Sequence, residues 1–405
     1  MSRRFYPLLL IVALLLATAG CGGSASAGDS SKLTVLDYYA DEPSHSQWGK
    51  RLSDCAKTVG ATVNHQSVPG AQLIAKVLQQ ASSRTLPDLL MLDNPDVQQI
   101  ASTGALLPLN DLGVTADGFS PGIVSAGTYQ GKLYAATPAV NTIVLFYDKD
   151  VLAKAGVKPP TTWAELRAAA KKLTVPGRYG LAFDANADYE GAWTFLPFMW
   201  SNGGNENKLD SPQVQQSLQF WVDLFRDGSV SKGALNWRQS DVNDQFMAGK
   251  AAMMVNGPWQ IQTLNKKATL HWDTVKIPVP AAGATAVAPL GGEMWTVPQS
   301  TSKERQQKAA KVVACLIQDK NMLATAKEGF LIPTKPAVAR QYAADVPSMA
   351  SFVDTVGHAR ARTGQLGPKW PKAAQAIYTA FQAALTGQST PAAALAQAQK
   401  TVTSS

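Results

Sequence analysis

Residues 129–166 read YQGKLYAATPAVNTIVLFYDKDVLAKAGVKPPTTWAEL, and this stretch decides how the chain is built. Gly131-Lys132 lies between two short aromatic-bearing runs, the pattern of a tight hairpin turn. Pro138 breaks the run that follows. Ile143 to Tyr147 is apolar and rich in β-branched and aromatic side chains, as in a buried strand. Asp150 is placed to cap a short helix, and Gly156 to end it in a left-handed conformation. Pro159-Pro160 bars any continuation. Thr162-x-x-Glu165 forms a capping box that opens the next helix, with Trp163, Leu166, Ala170 and Leu173 on one face.

Two further motifs lie downstream. Phe246-x-x-Gly249-Lys250-Ala251-Ala252-Met253-Met254-x-x-Gly257-Pro258-Trp259 is one. Gly291-Gly292 through Pro298, followed by a helix and Gly329-x-x-Ile332-Pro333-Thr334, is the other. In this order and spacing the three segments resemble the bacterial extracellular solute-binding proteins of ABC importers, the group that includes the maltose-binding protein. The resemblance covers nearly the whole mature chain. It implies an α/β, two-lobe periplasmic-binding-protein fold of type II, each lobe a mainly parallel sheet flanked by helices. In that family the quoted stretch carries the chain out of the first lobe, across a hinge of crossing segments and into the second. The implied division is residues 32–139 plus 288–338 for lobe one, and 140–287 plus 339–405 for lobe two.

The N-terminal part supports a parallel sheet on its own terms. Leu33 to Leu36 reads as a strand. Trp48, Leu52, Cys55, Ala56 and Val59 recur at helical spacing, and Gly60 stops the helix. Ala61 to Val68 alternates as a second strand, and Leu73, Ile74, Val77, Leu78 and Ala81 mark a second helix. Asp88 to Leu92 suits a strand buried on both faces. Strand, helix, strand, helix, strand means βαβ units with right-handed crossovers. Open sheets of this kind bind ligands at the carboxyl ends of their strands. Asp41, Asp93 and Asn94 stand there, with Asp41 and Asp93 as candidate acceptors for sugar hydroxyls. Asp93-Asn94-Pro95-Asp96 serves equally well as a helix start, and one residue can do both.

In the second half, Gly180 to Phe183 reads as a short strand leading into a loop-rich stretch, Asp184 to Asn205. Trp193, Leu196 and Trp200 keep helical spacing, which marks core; Trp193, near Glu190, is the one expected to face a ligand. Leu218, Trp221, Val222 and Phe225 form the apolar face of a helix. Trp259 ends the strand Ala251 to Val255, and by resemblance its indole gives a sugar ring a face to stack on; packing between lobes is the alternative. Gly291 and Gly292 let backbone approach a ligand or absorb a hinge rotation. Trp370-Pro371 sits between two helices, close to where family members hold an aromatic ligand contact. Asn141 and Glu293, on crossing segments, complete the candidate set.

The first residues form an export leader. Arg3-Arg4 is a charged start, and Leu8 to Ala17 is an apolar core far short of the roughly 20 residues needed to span a bilayer. Thr18-Ala19-Gly20-Cys21 resembles a lipobox, with Thr18 where Leu is usual, so residues 1–20 read as a lipoprotein signal peptide and Cys21 as the lipidated residue. An ordinary secretory peptide cut nearby is the alternative, and Ser2-Arg3-Arg4-x-Tyr6 also shares part of a twin-arginine signal. Residues 21–31 form a flexible tether with a root-mean-square reach of about 18 Å. With Cys21 lipidated, Cys55 and Cys315 remain. The oxidising exterior favours a disulfide between them, and two separate buried thiols are the alternative.

The chain of 405 residues is 45% apolar and only 16% charged, and its formal net charge is +8. No basic stripe interleaved with aromatics occurs, which argues against nucleic-acid binding. Four scattered histidines form no metal-ligand spacing, and no cofactor motif, nucleophile elbow or phosphate-binding loop is present. The expectation is therefore a monomeric, lipid-anchored receptor on the outer face of the cell membrane. It closes around a neutral carbohydrate and delivers it to ABC permease subunits, without metal, cofactor or catalysis. A secreted carbohydrate-active enzyme is one alternative. A receptor of the same fold for a polyamine, phosphate or iron complex is another, and it calls for clustered Asp, Glu or Arg at the cleft.

Overall fold

The computed structural model describes residues 30–300 and 302–404; the leader, Cys21 and most of the tether lie outside these residues. Two open sheets organise the chain. In the first, the strands run in the order Thr62–Ser67, Lys32–Asp37, Leu89–Asp93, Glu293–Thr296, Ala135–Ala136. The first three are parallel neighbours, joined by the helices Ser44–Lys57 and Gly70–Ser83. Glu293–Thr296 returns from far along the chain and pairs antiparallel to Leu89–Asp93. Leu89 to Leu92 are fully buried, as a strand covered on both faces must be. The helix Ser44–Lys57 buries Trp48, Leu52, Cys55 and Ala56, the stripe that its spacing predicts. It packs against the helix Lys303–Leu316, and a Cys55–Cys315 disulfide joins the two, with Cα atoms 5.7 Å apart.

The second sheet has the order Trp272–Val275, Val144–Asp148, Ala251–Asn256, Tyr179–Ala182. Here the expected mainly parallel pairing gives way to a mixed sheet. Only Ala251–Asn256 with Tyr179–Ala182 is parallel, and Val144–Asp148 runs antiparallel to both its neighbours. The cause is the direction of arrival. Val144–Asp148 comes straight from the crossing segment and runs away from the first sheet, whereas Ala251–Asn256 runs back toward it, so that Val144 pairs with Asn256. The core of this half is aromatic. Trp221 is fully buried, with its ring centre 4.1 Å from that of Phe183 and 4.5 Å from that of Phe198.

Local chemistry sets the boundaries. The hairpin Thr128–Tyr129/Lys132–Leu133 turns on Gln130 (φ 47°) and Gly131 (φ 76°), one residue earlier than expected. A two-residue turn with both central φ values positive matches the twist of the strands it joins. Asp148, not Asp150, caps the helix Lys149–Lys154, accepting the amides of Asp150 and Val151; the strand ends there, and that puts its carboxylate over the first turn. Thr162 and Glu165 form both halves of the capping box. The stretch read as loop-rich holds a helix, Tyr189–Ser201, capped by Asp188 and buried along most of its length. Trp370-Pro371 does not separate two helices but opens one, Trp370–Leu385, because proline is tolerated in the first turn.

The chain passes between the sheets through residues 137–143, through 276–292, and again before Trp370. Ala139–Val140 pairs with Ile332–Pro333, and Pro289–Leu290 with Arg360–Ala361, so the passages are stitched into short ribbons. The disulfide closes a loop with a sequence separation of 260 residues. Replacing Cys55 and Cys315 together by serine should lower stability by roughly 2–5 kcal/mol. A denaturant melt of the double variant checks this, and native wild-type protein should leave both cysteines unreactive toward an alkylating agent until it is reduced.

Candidate functional site

Strand ends from both sheets meet at the crossing segments. Asp93 and Glu293 are register partners at the end of the first sheet. Asn141 bridges to Gly291 through two backbone hydrogen bonds of 2.9 and 3.3 Å. A Cβ on Gly291 would stand 2.0 Å from the Asn141 side-chain oxygen and 2.6 Å from the Trp193 ring, so this position has no room for a side chain. Gly292 has φ +111°, a backbone that other residues rarely adopt. Asn94 donates its side-chain amide to the carbonyls of Leu290 and Gly292, 3.1 Å each, which ties the helix Asn94–Ser102 to the crossing segment.

Asp93 does two jobs. Its Oδ1 caps that helix, accepting the Asn94 amide at 2.9 Å. Arg362 also donates to both of its oxygens, at 2.9 and 2.5 Å, in the bidentate geometry that guanidinium and carboxylate share. Arg362 is only 3% exposed. Its guanidinium lies 4.6 Å from the ring centre of Trp193 and 5.3 Å from that of Trp370, both within cation–π range. Tyr189 meets the fully buried Trp370 edge-on and donates its hydroxyl to Asp96 at 3.1 Å. Glu293 accepts from the hydroxyls of Tyr38 and Tyr39.

Burial governs the titration of this group. Asp96 is pushed up to about 7, first by burial and then by the charge of Asp93, against the pull of Tyr189 and Arg362. Glu293 is raised by burial, against the hydrogen bond from Tyr38. Glu190 is raised by burial and by Asp188; it accepts the Gln239 amide at 3.1 Å.

Of the residues singled out in the sequence, Asp93, Asn94, Asn141, Trp193, Gly291, Gly292, Glu293 and Trp370 form this contiguous group. Glu190 joins it one turn before Trp193 on the same helix. Trp259 lies at the edge, at the end of Ala251–Asn256, half-buried and folded back over Gly257, where a Cβ would meet its ring at 2.0 Å. Asp41 stands apart: it is exposed, and its backbone carbonyl accepts the His45 amide. Arg362, Tyr38, Tyr39, Tyr189 and Asp96 belong to the group and were not singled out. Tyr38 and Tyr39 follow a strand end directly, a position that marks ligand-facing residues in open sheets. Arg362 opens a single 3-10 turn, Arg362–Gly364, directly after the short strand Arg360–Ala361, and carries no comparable mark.

The profile of the bacterial extracellular solute-binding proteins matches residues 50–351. The chain belongs to this family, and its fold is the type II, two-lobe architecture of the maltose-binding-protein group. A binding protein of Brucella abortus (strain 2308) is 26% identical over 95% of this chain and 94% of its own. A maltooligosaccharide ABC transporter solute-binding lipoprotein of Streptococcus pneumoniae serotype 4 is 26% identical over 76% and 75%. Among solved structures, a solute-binding protein of Thermotoga lettingae bound to α-D-tagatose superposes with a TM-score of 0.82 at 24% identity, covering 92% of this chain and 99% of that one. The maltose-bound MalE3 of Thermotoga maritima superposes with a TM-score of 0.80 at 25% identity, covering 92% and 98%.

The raised carboxyl of Asp96 gives a signed expectation. In the unfolded chain an aspartate titrates near 3.9, whereas in the folded protein Asp96 holds its proton to about 7. Between these values the folded state binds the extra proton, so this residue's contribution to stability is fully present below about pH 4 and is lost as pH rises through 7. Asp96→Asn removes that loss. Melting curves from pH 4 to 8 should show the variant gaining on the wild type as pH rises; a constant difference would contradict the assignment.

Proposed function

We propose that this protein is the lipid-anchored, extracellular carbohydrate receptor of an ABC importer, closing around a neutral sugar or oligosaccharide and releasing it unchanged to the permease. The observation that carries the reading is the balance of charge between the two sheets. The positive charge of Arg362 is matched by Asp93, burial pushes Asp96 up to about 7, and burial raises Glu293 as well. What remains for a solute is a surface of half-buried aromatic rings with carboxyl and amide groups. Such a surface suits pyranose rings, whose apolar faces stack and whose hydroxyls both donate and accept. A receptor for a strongly charged solute needs an uncompensated charge here. The sugar-binding relative in Streptococcus and the maltose-bound structure agree with the reading.

The lobes are taken as the two sheets with their flanking helices, and the ligand is taken to lie between them. The last crossing then falls near residue 360 rather than 338, because the helix Pro336–Asp345 is tied to the helix Asp319–Gly329 through Tyr342–Ala326 and Lys327–Asp345. Proposed contacts are Asp93, Glu190 and Glu293 by hydrogen bond and Trp259 by stacking, with Asn94, Asn141, Gly291 and Gly292 shaping the backbone. A solute touching both lobes stabilises the closed form by its differential contacts. The lipoprotein relative and the lipobox-like Thr18-Ala19-Gly20-Cys21 support the anchor.

A thermal-shift screen against mono- and oligosaccharides tests the function. A sugar at 100 times its dissociation constant adds about 2.7 kcal/mol of stability. No shift with any sugar, alongside a shift with a polyamine or phosphate ester, would replace the carbohydrate reading. Trp259→Ala should then weaken the responding sugar by roughly 2–4 kcal/mol, about 30- to 1000-fold, with the unliganded melt nearly unchanged. A large loss of melting temperature with affinity intact would make Trp259 a packing residue. Membrane fractionation tests the anchor: Cys21→Ala should move the protein to the soluble fraction.

A further inference from the structure

We infer that Arg362 is a positioning residue that turns Asp93 into a hydroxyl-specific acceptor, with Trp193 and Trp370 holding the arginine rather than the sugar. The inference rests on the carbohydrate reading of the same site and goes further, because it assigns separate roles within the cleft.

The guanidinium is out of reach of a solute. Its side chain is 4% exposed, each terminal nitrogen donates to Asp93, and two indoles lie over it. Trp193 is 6% exposed and Trp370 fully buried, so neither offers an open face. Asp93 is the exposed member of the pair, with 21% of its side chain accessible.

Counting lone pairs defines what Asp93 can accept. An ionised carboxylate offers about four acceptor positions. Oδ1 is filled by the Asn94 amide and one Arg362 nitrogen, and Oδ2 takes the other nitrogen. One position on Oδ2 remains, and the guanidinium's other N–H groups, the unpartnered Nε–H among them, are buried on a side chain 4% exposed, so the accessible face of the pair only accepts. A hydroxyl can occupy that position by donating. A carboxylate or phosphate oxygen cannot, since it brings no proton and meets the Asp93 charge. Arg362 thus selects for hydroxyl-bearing solutes without touching them, and ring stacking falls to Trp259, the half-buried indole at the cleft edge.

The test is a double-mutant cycle with maltose as probe, using Arg362→Met, Asp93→Asn and the double variant, plus Arg362→Lys. Titration calorimetry should show each single variant losing roughly 10- to 100-fold in affinity. The double variant should be no weaker than the weaker single one, because both act through one acceptor. Arg362→Lys, which keeps the charge but not the fork, should recover only part of the loss. Independent losses that multiply in the double variant, or normal maltose binding by Arg362→Met, would overturn the assignment. Unliganded crystal structures of the wild type and Arg362→Lys decide the positioning without any sugar. A turned Asp93 carboxylate in the lysine variant supports it, and an unmoved one refutes it. Failure of the wild type to bind any sugar would instead sink the carbohydrate reading and leave this structural comparison standing as the judge of Arg362.

Discussion

The close approach of two crossing segments at Gly291 is the constraint on which the space between the sheets depends. Asn141 and Gly291 exchange backbone hydrogen bonds, the Trp193 ring fills the space where a Cβ would project, and Gly292 turns the chain with φ +111° into register with Asp93. Any side chain at Gly291 would push apart the hinge strand and the helix Tyr189–Ser201. The bridge also makes the two segments move together.

Around this bridge the protein gathers more acidic groups than a low-dielectric site tolerates when all are charged. Asp93 is held by Arg362, whereas Asp96 and Glu293 respond to burial by favouring the protonated form. A buried ion pair is a weak source of stability, because desolvation offsets most of the attraction. Its value here lies in geometry: a planar fork fixes the carboxylate more tightly than any single contact would. The proposed sugar ligand would meet such a surface with hydroxyl groups, which bring no charge that needs its own partner. Clusters of aromatic rings in the second half, centred on Trp221, Phe183 and Phe198, give the helix Tyr189–Ser201 a rigid base for Glu190 and Trp193.

The sequence by itself determined the local elements of this protein. Helix faces, the Thr162–Glu165 capping box, the strand Leu89–Asp93 and the two crossing glycines follow from rules that act within a few residues: periodicity, proline geometry and end capping. Where a reading slipped, as at Asp148 or Gln130, it slipped by a residue or two, because neighbouring residues compete for one cap or one turn. Only the tertiary structure decided the direction of Val144–Asp148 in its sheet, and the partners of the buried polar groups. Arg362 meets Asp93 across 269 residues. No periodicity links them, since both sit where regular structure ends and the chain's path, not its local preference, sets the distance. The same holds for Trp193 and Trp370: the sequence suggests a ligand contact for each, whereas both are buried against Arg362, a partnership set by how distant segments pack. Long-range partners follow from which strand ends are brought face to face, and that is a property of topology, to which local physical chemistry is blind.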